Sequence, residues 1–386
     1  MRWLRHHLRL RTLADCFNTR PDNFLLVRFV AAVMVMFGHS YALCGMPNHG
    51  DFIARAGWGD GVYTGSLAVF VFFVISGLLV TGSYFHRAHL EEFLKSRALR
   101  ILPAYAACMI GCAIVVGAIF TNLPLTAYWL DPATYNYIYV NMQFGYHLEW
   151  NLPGVFVHNF YPNAVNGAIW TLPAEVRMYT WVAILGALAV LRRRWLANTV
   201  FVALLLLGIF APDYLPLVPA AQFVRLAGFF LLGAFCFINR DWIRIGTLPL
   251  VGFVLLAVIA HHTRFSAYAL GLAITYATLW FAYIPNFHFF NRFGDYSYGI
   301  YLWGFPIQQS VSASIGAATH PWVNFAISLP IVIVLAMISW HLIEKPALRL
   351  KRRNPRLKSA PTRQNSSSSA EPDASGVAQI AADRPL

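Results

Sequence analysis

Two ionisable side chains lie in the first long apolar segment, residues 24–44, where charged groups are costly and usually functional. Arg28 and His39 are eleven residues apart, so at about 100° per residue they share one helix face, about 16 Å apart along the axis. An anion-binding group at one end and a proton acceptor at the other suit a long donor that carries phosphates. The alternative is an Arg that reaches the membrane surface and an unrelated structural His.

A pair of arginines precedes the third apolar segment. Arg97 and Arg100 are three residues apart, so a helix presents both guanidinium groups to one anion. Planar guanidinium groups match the geometry of phosphate oxygens. The alternative is that both arginines only anchor the segment at the positively charged side of a membrane.

One carboxylate lies near the start of a later apolar segment, residues 167–190. Glu175 follows Trp170-Thr171-Leu172-Pro173-Ala174, and an acid at the membrane end of a span needs a partner. Thr171 and Tyr179 are each four residues away on the same helix face. Three roles are open for Glu175: it orients or acidifies a catalytic His, binds a hydroxyl, or pairs with an Arg.

The composition predicts the elements that position these residues. Of 386 residues, 58% are hydrophobic and 12% are charged, against about 25% charged in soluble domains. This composition excludes an ordinary soluble enzyme, a disordered chain and a nucleic-acid-binding domain. The net charge of +13 comes from short basic blocks between apolar runs. No single face or helix collects these blocks, which also argues against binding of nucleic acid.

Ten apolar segments have roughly the length of membrane-spanning helices. They are residues 24–44, 66–85, 101–120, 167–190, 197–211, 219–238, 247–262, 267–284, 297–314 and 323–343. The predicted fold class is all-α, a polytopic membrane protein with about ten transmembrane helices. An even number of spans places both termini on one side, together with the basic blocks, and the positive-inside rule makes that side cytoplasmic. The blocks are residues 1–20, 86–100, 192–194, 239–244, 285–292 and 345–363.

Three parts follow one another along the chain. We predict a basic cytoplasmic segment at 1–22, a transmembrane domain at 23–346 and a disordered cytoplasmic tail at 347–386, which is rich in Ser, Pro and Ala. No internal repeat is visible.

The five cysteines form no CxxC pair, so we expect neither a disulfide framework nor a metal site. The first apolar run is too long for a cleavable signal peptide, and we expect none.

Two further features have simple interpretations. Ser76 and Gly77 are adjacent small residues in the second apolar segment, and we expect them to permit close helix packing. The predicted loop at 121–166 is rich in aromatic residues such as Tyr128 and Tyr137. Such residues anchor proteins at membrane interfaces, and sugar-binding surfaces also use them.

Six motifs, in this order along the chain, resemble those of the acyltransferase 3 family of integral membrane O-acyltransferases. They are Arg28-x10-His39, Phe72-Phe73-Val74-Ile75-Ser76-Gly77, Arg97-x-x-Arg100, Trp170-Thr171-Leu172-x-x-Glu175, Tyr296-Ser297-Tyr298-Gly299-Ile300-Tyr301-Leu302-Trp303 and Glu344-Lys345-Pro346. The resemblance covers residues 22–348. Family members often have a His where Gly304 stands here, and a polar residue before the Phe72-Phe73 pair where this chain is apolar. With no hydrolase-like domain after the spans, the chain resembles the stand-alone form of the family.

The resemblance implies transfer of an acyl group, usually acetyl, from cytoplasmic acyl-CoA to a hydroxyl of a cell-surface or exported carbohydrate or glycolipid. The implied location is a bacterial inner membrane. By position, Arg28, Arg97 and Arg100 would bind the CoA phosphates or shape the donor pocket. His39 would be the catalytic histidine and Glu175 a supporting acid. Acetyl-CoA is then a donor substrate, and we expect no permanently bound cofactor and no nucleic-acid partner.

The residues suit this chemistry. A sugar hydroxyl is a poor nucleophile until a positioned base takes its proton, and neutral imidazole can do so near pH 7. Direct attack in a ternary complex and an acyl-histidine intermediate are both open. The alternative function is a transporter or exporter of a glycan or lipid, with His39, Glu175 and Arg28 along its path. Inverted repeats would support that alternative.

Overall fold

The computed structural model describes residues 10–19, 21–46, 50–59, 61–86, 89–218, 221–316 and 320–352. Most of these residues are helical, which confirms the predicted helical class. The strands in the described ranges are β1 (Arg11–Thr12) and β2 (Arg244–Ile245), which form one antiparallel pair.

The α-helices, in chain order, are α1 (Leu13–Thr19), α2 (Phe24–Leu43), α3 (Phe52–Arg55), α4 (Thr64–Phe85), α5 (Leu90–Gly111), α6 (Ala118–Phe120), α7 (Leu125–Leu130), α8 (Pro132–Met142), α9 (Leu172–Ala187), α10 (Arg194–Phe210), α11 (Ala221–Ile238), α12 (Thr247–Ala260), α13 (Ser266–Tyr283), α14 (Ser297–Ile315), α15 (Pro321–Ser339) and α16 (Lys345–Arg349). Two π-helical segments continue long helices: Cys112–Gly117 joins α5 to α6, and Trp340–Glu344 joins α15 to α16. Short 3₁₀ turns occur at Gly167–Thr171, Val190–Arg192, Pro212–Tyr214, His288–Arg292 and Leu350–Arg352.

Each of the ten predicted segments coincides with one of the long helices, from α2 for the first to α15 for the last. Within the described ranges, four helices are long and apolar enough to cross a membrane: Phe24–Leu43, Thr64–Phe85, Leu90–Phe120 and Pro321–Arg349. The number of ten spans and the cytoplasmic side of both termini remain predictions.

Helix boundaries differ from the predicted segments where polar residues are helical. Helix α5, which contains the third predicted segment, begins at Leu90, well before residue 101. The polar stretch that contains Glu91 and Lys95 favours a helix although it is not apolar. In the fourth segment, residues 167–171 form a 3₁₀ turn, and α9 begins only at Leu172, with Pro173 in its first turn.

The predicted terminal segments lie largely outside the described residues. At the amino end, residues 1–9 and 20 are outside, and the part that follows Leu10 forms β1 and α1. At the carboxyl end, helical turns continue through Arg352, beyond the predicted start of the tail at residue 347. Residues 353–386 are outside the described ranges, where the predicted disordered tail remains a prediction.

The aromatic segment at 121–166 is folded rather than an open loop. It contains α7 and α8, and the Tyr128 and Tyr137 side chains are fully buried. The Tyr128 hydroxyl donates a hydrogen bond to the Ala113 carbonyl at 2.6 Å. Interface anchoring and sugar stacking are therefore both wrong for these two tyrosines, which belong to the core.

Helix α4 lies at the centre of the fold. It packs against α2, α9, α11 and α13, while α14 packs against α2 and α15. Two glycines, one on each helix, allow the backbones of α4 and α11 to approach closely. A Cβ on Gly77 would lie 2.0 Å from the Phe230 carbonyl oxygen, and a Cβ on Gly233 would lie 2.1 Å from the Val74 carbonyl oxygen. The predicted packing role of Gly77 is confirmed, since any side chain there would push the two backbones apart.

Replacing Gly233 by alanine should weaken the packing of α11 on α4. Because the blocking atom belongs to the backbone of α4, relief requires a helix shift, and we expect stability to fall by about 1–3 kcal/mol. The matched control is Gly228→Ala in the same helix, where a Cβ meets no atom within 4 Å. Alanine there should keep or raise stability, because it is the better helix former. Thermal unfolding in detergent measures both variants, and equal unfolding temperatures would contradict the packing argument.

Candidate active site

Four charged side chains from distant parts of the chain, three of them buried and Arg28 partly buried, meet at the start of α14. Asp295 Oδ2 accepts hydrogen bonds from Arg28 Nη1 and Arg100 Nη2, each at 2.6 Å. Arg100 Nη1 also lies 3.4 Å from Glu344 Oε2. One carboxylate thus holds two arginines that the sequence places on different helices. We call Arg28, Arg100, Asp295 and Glu344 the ion cluster.

The residues beside the two carboxylates fix their orientation. The Ser297 hydroxyl donates to Asp295 Oδ1 at 2.5 Å, and the Ser339 hydroxyl donates to Glu344 Oε1 at 3.1 Å. Burial alone raises the pKa of Asp295, but Arg100 and Arg28 outweigh it and lower the pKa to about 2. Asp295 is therefore ionised at every physiological pH and keeps its negative charge between the two arginines.

A cavity adjoins the ion cluster. Its lining combines cationic, acidic and hydroxyl groups with an apolar wall from α4 and α5. The lining residues are Arg28, Val69, Phe72, Phe73, Ile75, Ser76, Leu79, Val80, Arg97, Arg100, Ile101, Thr171, Leu172, Glu175, Tyr179, Ser297, Tyr298 and Tyr301. We call this the arginine cavity. Such a mixture of apolar wall and convergent polar groups is typical of a site for a small molecule or cofactor.

Arg97 and Arg100 both line the arginine cavity, as their three-residue spacing predicts. Arg97 Nη2 donates to the Ser83 hydroxyl at 3.4 Å, and its guanidinium carbon lies 5.8 Å from the centre of the Tyr179 ring. Arg100 faces the same cavity from within the ion cluster. The structure therefore brings Arg28, Arg97 and Arg100 to one cavity.

Glu175 also faces the arginine cavity, and its contacts are with hydroxyls. Tyr179 donates a hydrogen bond to Glu175 Oε1, and Ser76 donates to the same oxygen at 3.4 Å. Of the three open roles, hydroxyl binding is the one with a contact in the structure. Ser76 consequently does more than pack helices, because its hydroxyl lines the cavity and contacts the acid.

His39 lines a second cavity, which we call the histidine cavity. Its lining residues are Val35, His39, Gly61, Tyr63, Ser66, Val69, Phe70, Trp170, Gln222, Arg225, Leu226 and Tyr301. His39 Nδ1 is buried and has no hydrogen-bond partner among the described residues. The imidazole is thus held by packing, including the Phe305 ring at 5.2 Å between centroids.

Small residues set the position of His39. A Cβ on Gly38 would lie 2.6 Å from the backbone nitrogen of Gly65 and 2.9 Å from Tyr63 Cε2, so α2 and α4 meet next to His39. A Cβ on Gly304 would lie 2.7 Å from Met36 Cγ, one turn before His39. The position where family members often have a His is therefore filled here by the contact between α14 and Met36.

The two cavities adjoin each other at Val69 and Tyr301, which line both. We call this pair the junction. The Tyr301 hydroxyl donates to the Ala168 carbonyl at 2.5 Å and shares a 2.5 Å hydrogen bond with the Thr171 hydroxyl. Three arginines and Glu175 therefore lie in the arginine cavity on one side of the junction, and His39 lies in the histidine cavity on the other.

The sequence matches a known family. The profile of the acyltransferase 3 family, described as an acyltransferase domain, matches residues 23–341. The chain belongs to the acyltransferase 3 family. It is therefore an acyltransferase, as the motifs predict, and its long apolar helices make it a membrane protein.

Two curated relatives match over most of their length. An O-acetyl transferase of Shigella phage Sf6 is 26% identical over 346 residues, covering 86% of this chain and 95% of that protein. Nodulation protein 10 of Rhizobium leguminosarum bv. viciae is 26% identical over 366 residues, covering 86% of this chain and 94% of that protein. No solved structure matches the chain.

Three residues of this acyltransferase gained importance only from the structure. Asp295 directly precedes the Tyr296-Ser297 motif, and an acid at the start of an apolar helix was a usable signal. Glu344 and Tyr301 lie inside quoted motifs, but spacing alone gives them no partner. Their roles depend on contacts with residues far away in the sequence, namely Arg100 for Glu344 and Thr171 for Tyr301.

Proposed function

We propose that this acyltransferase transfers an acetyl group from cytoplasmic acetyl-CoA to a hydroxyl of a cell-surface or exported carbohydrate, in a bacterial inner membrane. The family match and the name of the phage relative support acetyl transfer to oxygen. The observation that carries the proposal is the pair of adjoining cavities, one with three arginines and the other with His39.

In the proposed donor site, Arg28, Arg97 and Arg100 bind the phosphates of acetyl-CoA. The donor is polyanionic, and guanidinium groups are well matched to phosphate oxygens. The apolar wall of the same cavity, including Leu79 and Ile101, suits the uncharged arm that links the phosphates to the thioester. Glu175 holds the Ser76 and Tyr179 hydroxyls and offsets part of the arginine charge.

In the proposed reaction, the acceptor hydroxyl meets His39 from the histidine cavity. The imidazole takes the hydroxyl proton as the new C–O ester bond forms and the C–S thioester bond breaks. The protonated imidazole then returns the proton to the departing CoA thiolate, so the enzyme ends in its starting state. An acyl-histidine intermediate would use the same residues in two steps.

A transfer assay tests this function. Membranes that contain the protein are mixed with radiolabelled acetyl-CoA and with polysaccharide from the source organism, without an ion gradient. We expect label in the polysaccharide, bound as an ester that mild alkali releases, and none with membranes that lack the protein. An unlabelled polysaccharide would refute the proposal, and label that appears only with a gradient would favour a transporter.

Replacing Arg97 by alanine should weaken use of the donor more than use of the acceptor. Loss of a charge-assisted hydrogen bond is worth about 1.5–3 kcal/mol, so we expect the half-saturating acetyl-CoA concentration to rise about tenfold or more. The control is Arg264→Ala, which removes an exposed arginine outside both cavities. If both variants keep the same dependence on acetyl-CoA, Arg97 has no role in phosphate binding.

A further inference from the structure

The junction is the part of the lining that the two cavities share. Of the described residues, Val69 and Tyr301 are the two that line both the arginine cavity and the histidine cavity. Val69 comes from α4 and Tyr301 from α14, and both side chains are buried. One aliphatic and one aromatic side chain therefore stand where the two cavities meet.

Tyr301 is held in place from several sides. Its hydroxyl contacts the Ala168 carbonyl and the Thr171 hydroxyl, each at 2.5 Å. Its ring meets the Phe72 ring edge to face, with centroids 6.1 Å apart. The ring cannot swing aside without breaking both hydrogen bonds, so Tyr301 keeps its position at the junction.

We infer that the junction sets the size of the acyl group that the enzyme transfers, admitting a short group such as acetyl and rejecting longer ones. The inference rests on the proposed function, because it needs an acyl-CoA in the arginine cavity and a hydroxyl activated by His39. With the phosphates bound by arginines, only the acyl end of the donor enters the junction. Extra methylenes then meet Val69 and Tyr301 rather than open space.

The choice of donors follows from this geometry. One methylene that a pocket accepts or refuses typically changes kcat/KM by about 10- to 200-fold. Acetyl-CoA and butyryl-CoA differ by two methylenes and share every phosphate contact. Their ratio of kcat/KM therefore reports on the junction and is insensitive to binding by the arginines.

Two valines of α4 provide a matched test. Val69→Ala removes two methyl groups at the junction, and Val80→Ala makes the same change at a buried residue that lines only the arginine cavity. The wild type should prefer acetyl-CoA over butyryl-CoA by about 100-fold or more. Val69→Ala should reduce this preference about tenfold, whereas Val80→Ala should leave it unchanged.

A second variant protects the test against a folding defect in Val69→Ala. Tyr301→Phe keeps the ring but removes the hydroxyl that fixes it, and it should also reduce the preference for acetyl-CoA. Equal use of both donors by the wild type, or equal effects of the two valine variants, would overturn the inference while acyl transfer itself stands. A wild type that transfers no acyl group from any donor would instead refute the proposed function.

Discussion

Replacing His39 by alanine should abolish acyl transfer while the protein still inserts into the membrane. A positioned base contributes about 10²–10⁴-fold to a rate, and His39 is the one imidazole among the described residues that line the histidine cavity. We therefore expect a loss of about 10²-fold or more in the transfer rate, measured with radiolabelled acetyl-CoA.

The control for this prediction is His262→Ala. His262 is exposed at the turn after α12 and lines neither cavity, so its removal should leave transfer near the wild-type rate. Both variants must show the same yield of membrane-inserted protein for the comparison to report on chemistry. A His39→Ala protein that keeps a tenth or more of the wild-type rate would show that another group takes the proton.

Replacing Asp295 by alanine should strongly destabilise the protein. The change leaves the buried Arg100 and the partly buried Arg28 without the carboxylate that binds both at 2.6 Å. Breaking a buried ion pair from one side typically costs about 3–5 kcal/mol, because an uncompensated charge stays in a poorly solvated site. We expect a much lower unfolding temperature in detergent, together with weak use of acetyl-CoA, since both arginines lose their fixed orientation.

The matched control is Asp241→Ala, which breaks an exposed ion pair between Asp241 and Arg194. Water replaces such a partner, so this variant should lose at most about 1 kcal/mol.

The dependence of stability on pH provides a further check. Because the pKa of Asp295 is lowered to about 2, its stabilising effect is complete above its unfolded pKa of about 4 and is lost only as the pH falls through about 2. Asp295 itself therefore does not titrate from about pH 5 to 8, and similar stabilities of the two variants in that range would contradict the role of the ion cluster.

The sequence predicted the helices well because apolar length is a local property. Each predicted segment needs only its own residues, and helices lie at all of them, as at 24–44 and 297–314. The errors are at helix ends such as Leu90, where polar residues extend a helix beyond its apolar part. The number of membrane crossings is a different question, since it depends on the membrane as well as on the helices.

The contacts within the site were not predictable in the same way. Helical spacing places Arg28 and His39 on one face, but it does not say that Asp295, 267 residues after Arg28, binds that arginine. The same limit applies to Arg100, which is 195 residues away from Asp295. Such partners depend on how α2, α5 and α14 pack together. Single-helix periodicity carries no information on that packing.

Glu175 and Tyr128 show the two kinds of residue for which spacing is ambiguous. Spacing gave Glu175 several possible partners, and the packing of α4 on α9 selects Ser76 in addition to Tyr179. Tyr128 belongs to a group of aromatics that looks interfacial by composition, yet its hydroxyl bonds to a backbone carbonyl inside the core. Composition describes a segment, whereas burial is decided residue by residue.

The junction also has a mechanical consequence. The Tyr301 hydroxyl contacts the Ala168 carbonyl and the Thr171 hydroxyl, so the turn Gly167–Thr171 is tied to α14 at the lining that the two cavities share. Any movement of this turn therefore moves part of the lining of both cavities at once.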